Sequence, residues 1–404
     1  MSLMFPDQSV SVGSRAGFHV LIAGVSAYPS APPQYHLQSL TTPARTAYRF
    51  YQWFLRQNDK GALPVPLASI RLLLSPSQEE IETQAGLDKV AEACTYDNFT
   101  KEVEAWRNDA CKNRDNVTFF YFAGHGFQRT AGDSVLLMQD FGEKPGDHLR
   151  RTASTSHIFY GMKAADNREQ MANTQLYFID ACRNYPEALM LLEGMNPPGI
   201  FPINLRIPET RNTLRQYAAA SGGRAYGLTG DLTLFGKALL ESLECAADRK
   251  VEREGREVWA VSSRSLYTTV EDYTKYLIRL YKEKELEGAA RLLRPGKESE
   301  SGTESTLQGD AHICYLDDRP SVGLVLEIDP DVALDVTHID IRDEEKSSPW
   351  SLTKPLYPHP YEGKLPRGVY RVIGKIEPPD LQYKDYNGEC EALLPHQRLK
   401  VVVK

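Results

Sequence analysis

A chain of 404 residues with 41% hydrophobic and 25% charged residues has the composition of an ordinary globular protein and the length for two or three domains. A formal charge of -7, with no clustered excess of Lys and Arg, argues against the electrostatic footprint of a nucleic-acid-binding protein. No segment approaches the roughly 18 apolar residues of a membrane span, and the opening MSLMFPDQSVSVGSRAGF lacks the basic head and apolar stretch of a secretory leader. A cytoplasmic protein that engages neither nucleic acid nor membrane is therefore expected.

The first element is FHVLIAGVSAYPS, residues 18–30, a continuous apolar run that reads as a parallel strand buried on both faces. Residues 42–57, TPARTAYRFYQWFLRQ, carry apolar side chains at three- and four-residue spacing and predict a helix, with Thr42 as N-cap and Pro43 in its first turn. A strand over 69–75 and a helix from about Asp97 to Cys111 follow. Further strands are VTFFYFAG (117–124), SVLLMQD (134–140), QLYFIDA (175–181) and RQYAAASG (215–222), and a helix follows over 232–248. Strands alternating with helices of ten or more residues predict an α/β fold, one mainly parallel sheet covered by helices on both faces. The Pro- and Gly-bearing stretch 185–213 reads as a long surface loop, and 295–318, rich in Ser, Gly and Glu at its start, as a linker. Residues 319–404 hold short alternating runs such as SVGLVLEID and GVYRVIGKIE between turn residues, which predict a small immunoglobulin-like β-sandwich. The expected domains are thus 1–294 and 319–404.

Chemistry is carried by two of these runs. VTFFYFAG is followed by His125 and Gly126, and QLYFIDA by Cys182, so both reactive side chains stand at the carboxyl ends of predicted strands, where open parallel sheets gather their ligands. Alone, either residue is more commonly structural. On neighbouring strands they could meet. An imidazole beside a thiol can take its proton and later return one to a leaving amine. Gly126 lets a substrate approach the backbone, and the N–H groups of Gly126 and Cys182 are candidate oxyanion donors. The other five cysteines (94, 111, 245, 314, 390) show no CxxC or zinc spacing and are expected to be free thiols.

FFYFAGHG followed by LYFIDACRN resembles the caspase, metacaspase and paracaspase clan of cysteine peptidases. The separation, 182 - 125 = 57 residues, accords with the roughly 50 of caspases. FHVLIAGVSAY resembles the clan's first core strand, and YAAASGGRAYGLTGDLTLFGKALLESL its substrate-edge strand, loop and helix, so the likeness spans about 15–250. The resemblance implies a His125–Cys182 dyad in a caspase-like domain over 1–294 that cleaves protein substrates without a cofactor. Relatives of this kind act in regulated cell death or antiphage defence, switched on by a partner, and a protein activator or regulator would then engage the C-terminal sandwich.

Basic-specific members of the clan carry an Asp two residues before the nucleophile, and Asp180 stands there. Their second pocket Asp lies in the helix after the first strand, where this chain offers Arg45 and Thr46. Three readings follow: a pocket of Asp180, Thr46 and Tyr226 that still prefers Arg or Lys, a pocket whose Asp180 is neutralised by Arg45, or an Asp180 that only anchors a loop. The loop after Cys182 falls where caspases carry the linker between subunits, and its Arg206 and Arg211 are candidates for self-cleavage. From outside the enzyme class, the rival is a caspase-fold scaffold whose dyad never aligns. A nucleotide-binding reading lacks GxxxxGK[ST] and GxGxxG, and the acidic loops lack metal-ligand spacing.

Overall fold

The run Val117–Gly124 is buried along its whole length. Phe119 and Tyr121 pack against Phe50 and Phe54 at ring separations of 4.3–6.0 Å, while Phe120 faces the other way onto Trp106 and Phe99 at 6.0 and 6.4 Å. Burial on both faces is why the run is apolar without alternation. The computed structural model describes residues 3–6, 15–35, 37–130, 133–143, 148–164, 170–183, 197–201, 208–220, 225, 227, 230–286, 303–330, 333, 337–343, 349–352, 360–376 and 383–403. They fall into two units, 1–240 with 274–314, and 241–273 with 315–404.

The first unit is built on strands β1 (Leu3–Pro6), β2 (Phe18–Val25), β3 (Leu67–Ser75), β4 (Val117–Gly124), β5 (Gly126–Thr130), β6 (Asp133–Leu137), β7 (Thr152–Ser154), β8 (Thr174–Ala181) and β9 (Asn212–Tyr217). Its helices are α1 (Pro43–Asp59), α2 (Gln78–Thr83), α3 (Leu87–Val90), α4 (Tyr96–Ala110) and α5 (Thr155–Gly161). After α6 (Leu234–Leu243), a hairpin of β10 (Arg249–Arg253) and β11 (Arg256–Ser262), and α7 (Ser263–Leu286), the chain returns as β12 (Glu304–Gln308). The main sheet has the order β1-β3-β2-β4-β8-β9-β12, with β3, β2, β4, β8 and β9 mutually parallel and the two edges antiparallel. Helix α1 covers one face and α4 the other, so the α/β, two-faced sheet is as expected.

Several local expectations change. Helix α1 starts at Pro43, but the Thr42 side chain makes no cap bond; Ser26 Oγ, at the end of β2, accepts from Ala44 N at 3.1 Å instead. Residues 133–137 form a separate antiparallel sheet with β5 and β7. Strand β9 begins at Asn212, three residues before the apolar signal. Within the stretch read as a surface loop, 197–201 and 208–213 are described, and Phe201 and Arg211 there are buried. Glu304–Gln308, assigned to the linker by composition, is an edge strand: it needs apolar cover on one side only, and Leu307 pairs with Leu214. The β10–β11 turn, Glu254–Gly255 with φ of 51° and 78°, joins a hairpin that no sequence signal had marked.

In the second unit, β14 (Ser321–Asp329), β17 (Tyr361–Pro366) and β20 (His396–Val402) form one sheet. A second contains β15 (Thr337–Asp343), β16 (Pro349–Leu352), β18 (Gly368–Ile376) and β19 (Tyr386–Ala392). Strand β13 (His312–Leu316) precedes them. Alternate residues of β14 and β18 are buried, and Val322, Leu324, Leu326 and Ile328 share one apolar core with Ile339, Ile341, Tyr370 and Val372. The alternating runs thus build a two-sheet sandwich, each strand turning one side to that core.

Candidate active site

Strand order places the site. From β2 the chain crosses to β3 on one side and returns to β4 on the other, so a crevice opens beyond the carboxyl ends of β2 and β4. Strands β4 and β8 pair in parallel with Gly124 opposite Ala181, which makes His125 and Cys182 the next residue on each of two adjacent strands. A Cβ built on Gly126 would lie 3.0 Å from Ala181 Cβ and 3.2 Å from Cys182 O, so glycine lets the His125–Gly126 segment approach Cys182 this closely without displacing its neighbours.

His125 is half-buried and held from two sides. Its Nε2 lies 2.7 Å from the Gln38 carbonyl oxygen. A carbonyl only accepts, so Nε2 carries hydrogen and, in the neutral ring, Nδ1 is the proton acceptor. Burial holds the imidazole below its ordinary 6.5, while the Gln38 hydrogen bond pulls the other way. On the main chain, His125 N donates to the Tyr28 hydroxyl at 2.7 Å, and the Tyr28 ring lies 4.8 Å from the imidazole.

Cys182 is half-buried, with Sγ 3.9 Å from the Ala225 carbonyl. The next residue, Arg183, anchors this end of β8: it is 2% exposed, donates to Ser134 Oγ at 3.0 Å, pairs with Glu304 at 2.6 Å and stacks 4.4 Å over Tyr217. Burial pushes the Cys245 thiol up to about 12 and Cys390 up to about 11, and raises Cys94 further, which keeps those three protonated.

Asp180 is buried one residue inside the rim. Tyr121 donates to Oδ2 at 2.9 Å, whereas Oδ1 is sealed from solvent without a hydrogen bond of good geometry. Burial raises the carboxyl to about 6, against the lowering influence of Thr233, Tyr121 and the Gly236 N–H at the start of α6. Thr46 faces the same end of α6, its Oγ1 accepting from Thr233 N at 3.0 Å. Arg45 is elsewhere: its guanidinium donates to Thr83 Oγ1 and its main-chain N to Glu80 Oε1, so it does not neutralise Asp180. Tyr226 and Arg206 lie outside the described residues. Arg211 is 5% exposed, with its guanidinium on Glu209, Gln175 and the Phe159 carbonyl, and it would have to be pulled out of this setting to serve as a cleavage site.

Residues 58–275, more than half of the chain, match the family model of the caspase domain. The chain belongs to the caspase-domain family. A probable protease of a Desulfuromonadales bacterium is 29% identical to it over 170 residues, 41% of this chain and 18% of that protein, so the chain spans under a fifth of that relative's length. The crystal structure of caspase-1 from Spodoptera frugiperda is 13% identical, covering 76% of this chain and 96% of its own with a TM-score of 0.39. Within this caspase-domain chain, Tyr28, Tyr121, Thr233 and the Gln38 carbonyl had not been singled out from the sequence. Tyr28 sits inside the quoted run FHVLIAGVSAYPS as a large polar aromatic just past a strand end, a legible signal; a main-chain carbonyl leaves none. Among the described residues, no helix is long and apolar enough to cross a membrane.

Proposed function

We propose that the chain is a cysteine endopeptidase whose dyad is His125 and Cys182. The observation that carries this is the pairing of Gly124 with Ala181, which sets the two residues side by side at one rim while the Gln38 carbonyl turns Nδ1 of His125 into the proton acceptor. The Cys182 S–H proton passes to Nδ1, and the thiolate attacks the scissile carbonyl carbon. The oxyanion is met by the N–H groups of Gly126 and Cys182. Leu137 N donates to His125 O, so in the antiparallel ladder the N–H of the following residue, Gly126, points away from β6. The imidazolium protonates the leaving amine, and water, deprotonated by the same ring, hydrolyses the thioester to acid and thiol.

Cleavage after Arg or Lys is part of the proposal. No Arg or Lys among the described residues pairs with Asp180, and a buried carboxylate without a cation favours a basic side chain as its counter-charge and penalises an acidic one. Self-cleavage is assigned to Arg206, since the Arg211 side chain is occupied. The C-terminal sandwich is proposed to bind a protein activator or substrate, in a cytoplasmic, prokaryotic setting of regulated cell death or antiviral defence.

Fluorogenic peptides differing only in the residue before the cut test this, with Cys182→Ala and His125→Ala as controls. Turnover is expected with Arg or Lys and lost by roughly 10³-fold or more in both variants. Faster turnover with Asp or an apolar residue overturns the specificity alone. Neither turnover nor labelling by an arginyl chloromethyl ketone overturns the peptidase and leaves a scaffold.

A further inference from the structure

We infer that Tyr28 is a positioning residue for His125, a role that rests on the peptidase reading: its hydroxyl replaces one rung of the β5–β6 ladder, and its ring sets the plane of the imidazole. Leu137 N donates to His125 O at 3.0 Å. In a regular antiparallel pair the reciprocal bond would run from His125 N to Leu137 O. Here His125 N donates instead to the Tyr28 hydroxyl at 2.7 Å, and that hydroxyl donates to Val25 O at 3.3 Å with Leu137 O at 3.5 Å. One side chain, arriving from the end of β2, therefore ties the ends of β2 and β4 and the start of the small sheet together at the residue that bears the imidazole.

The setting leaves the phenol little freedom. Tyr28 is 6% exposed, and a Cβ on Gly124 would come within 2.7 Å of its oxygen, so the strand end beside it must be glycine. Burial keeps the hydroxyl protonated far above neutral pH, against the opposing pull of the His125 N–H, so it accepts and donates throughout the working range. Its ring is tilted 49° to the imidazole at 4.8 Å, which opposes the ring flip that would exchange Nδ1 for Nε2. Gln38 selects the tautomer; Tyr28 keeps the ring where that selection holds.

Tyr28→Phe in the full chain keeps the ring and removes only the oxygen. Its kcat is expected to fall roughly 10- to 100-fold with KM within about two-fold, as displacement of a reacting group predicts. Nitrogen-15 histidine spectra, with His125→Ala to assign the signal, are expected to show the Nε2–H tautomer alone in wild type. In Tyr28→Phe they are expected to show a mixture whose titration moves back towards 6.5. Unchanged kcat with unchanged tautomer populations overturns the inference. So does a loss of kcat that disappears when the assay is cooled well below the variant's Tm, because that is a stability effect. An inactive wild type whose His125 signal still responds to Tyr28→Phe refutes the peptidase and leaves the hold on His125 standing; an active wild type with neither response does the reverse. Tyr28→Leu, which removes the ring as well, is expected to show a larger tautomer mixture than Tyr28→Phe, and an equal or smaller one overturns the ring's part.

Discussion

In the amino half of the central sheet, Arg71 is held between Glu102 at 3.3 Å and Asp109 at 2.8 Å, Asp109 also takes Lys112 at 2.7 Å, and Arg211 is clasped by Glu209 at 2.6 Å. At the carboxyl rim, Asp180 has a phenol, His125 has a carbonyl and a hydroxyl, and no described ion pair reaches either. Charges that serve the fold are compensated within the fold. At that rim Arg183, which anchors β8, is likewise paired with Glu304, but Asp180 and His125 are oriented by neutral partners, which fix geometry without cancelling charge, and so remain able to answer a charge brought by a ligand. Neutral partners are also sensitive to position, because a hydrogen bond lost at the rim is not replaced by a long-range attraction.

That contrast can be broken most severely at Gly126. Gly126→Ala puts a Cβ 3.0 Å from Val135 O and Ala181 Cβ and 3.2 Å from Cys182 O, all backbone or short side-chain atoms that cannot swing aside. The neighbours must give by a few tenths of an ångström, which shifts one proposed oxyanion donor. A loss of kcat on the order of 10²-fold or more is expected, with KM changed far less. Thermal unfolding should report a destabilisation of about 1–3 kcal/mol from overpacking. Wild-type kcat in a stably folded Gly126→Ala would show that the close approach to Cys182 has no part in the chemistry.

Asp180→Asn sharpens the comparison from the other side. The raised carboxyl, about 6 against an ordinary 3.8, is charged at neutral pH at a cost to the fold. Its contribution to stability is fully present below pH 3.8, where both states are protonated, and is lost as pH rises through about 6. The Asn variant is therefore expected to gain stability relative to wild type above pH 6 and to lose that advantage near pH 4, measured by urea denaturation. Its preference for Arg over Leu peptides should fall roughly 10- to 100-fold, since one charge pair is removed. In wild type the same preference should decline as pH drops through about 6. Selectivity indifferent to both the substitution and the pH would leave Asp180 an anchor of α6.

How much of this was legible beforehand follows from what each residue type can signal. Strands buried on both faces wrote themselves as apolar runs, and His125 and Cys182 stood at their ends as the reactive types in that position. A partner that acts through the main chain wrote nothing, since the Gln38 carbonyl belongs to any residue, and the α1 cap passed from Thr42 to the Ser26 hydroxyl, a residue distant in sequence that the fold brings to the start of the helix. Arg45 looked like a counter-charge for Asp180, yet its guanidinium turns towards Thr83 while its main-chain N donates to Glu80, a choice made by tertiary packing. Strand β12 was hidden by its polar composition, since an edge has one wet side.

The smallest expected effect lies at the compensated end. His19 is 6% exposed, its Nδ1 2.9 Å from Ser69 Oγ, and its carbonyl accepts from Trp106 Nε1 at 3.1 Å. Burial lowers its pKa from 6.5 to about 4, with Asp109 opposing and Arg71 and Lys112 adding to the shift. The folded state thus holds a neutral ring, and the unfolded chain takes up a proton first as pH falls. The stability tied to His19 is intact above pH 6.5 and drains away between 6.5 and about 4, roughly 1–2 kcal/mol of it between pH 7 and 5. His19→Gln should flatten that part of the profile, so the difference between wild type and variant in urea-denaturation free energy should shrink or reverse on acidification. A difference that stays constant with pH would mean that Asp109, 2.8 Å from Arg71, stabilises the imidazolium as well as it stabilises the guanidinium, and that this end of the sheet tolerates a further cation.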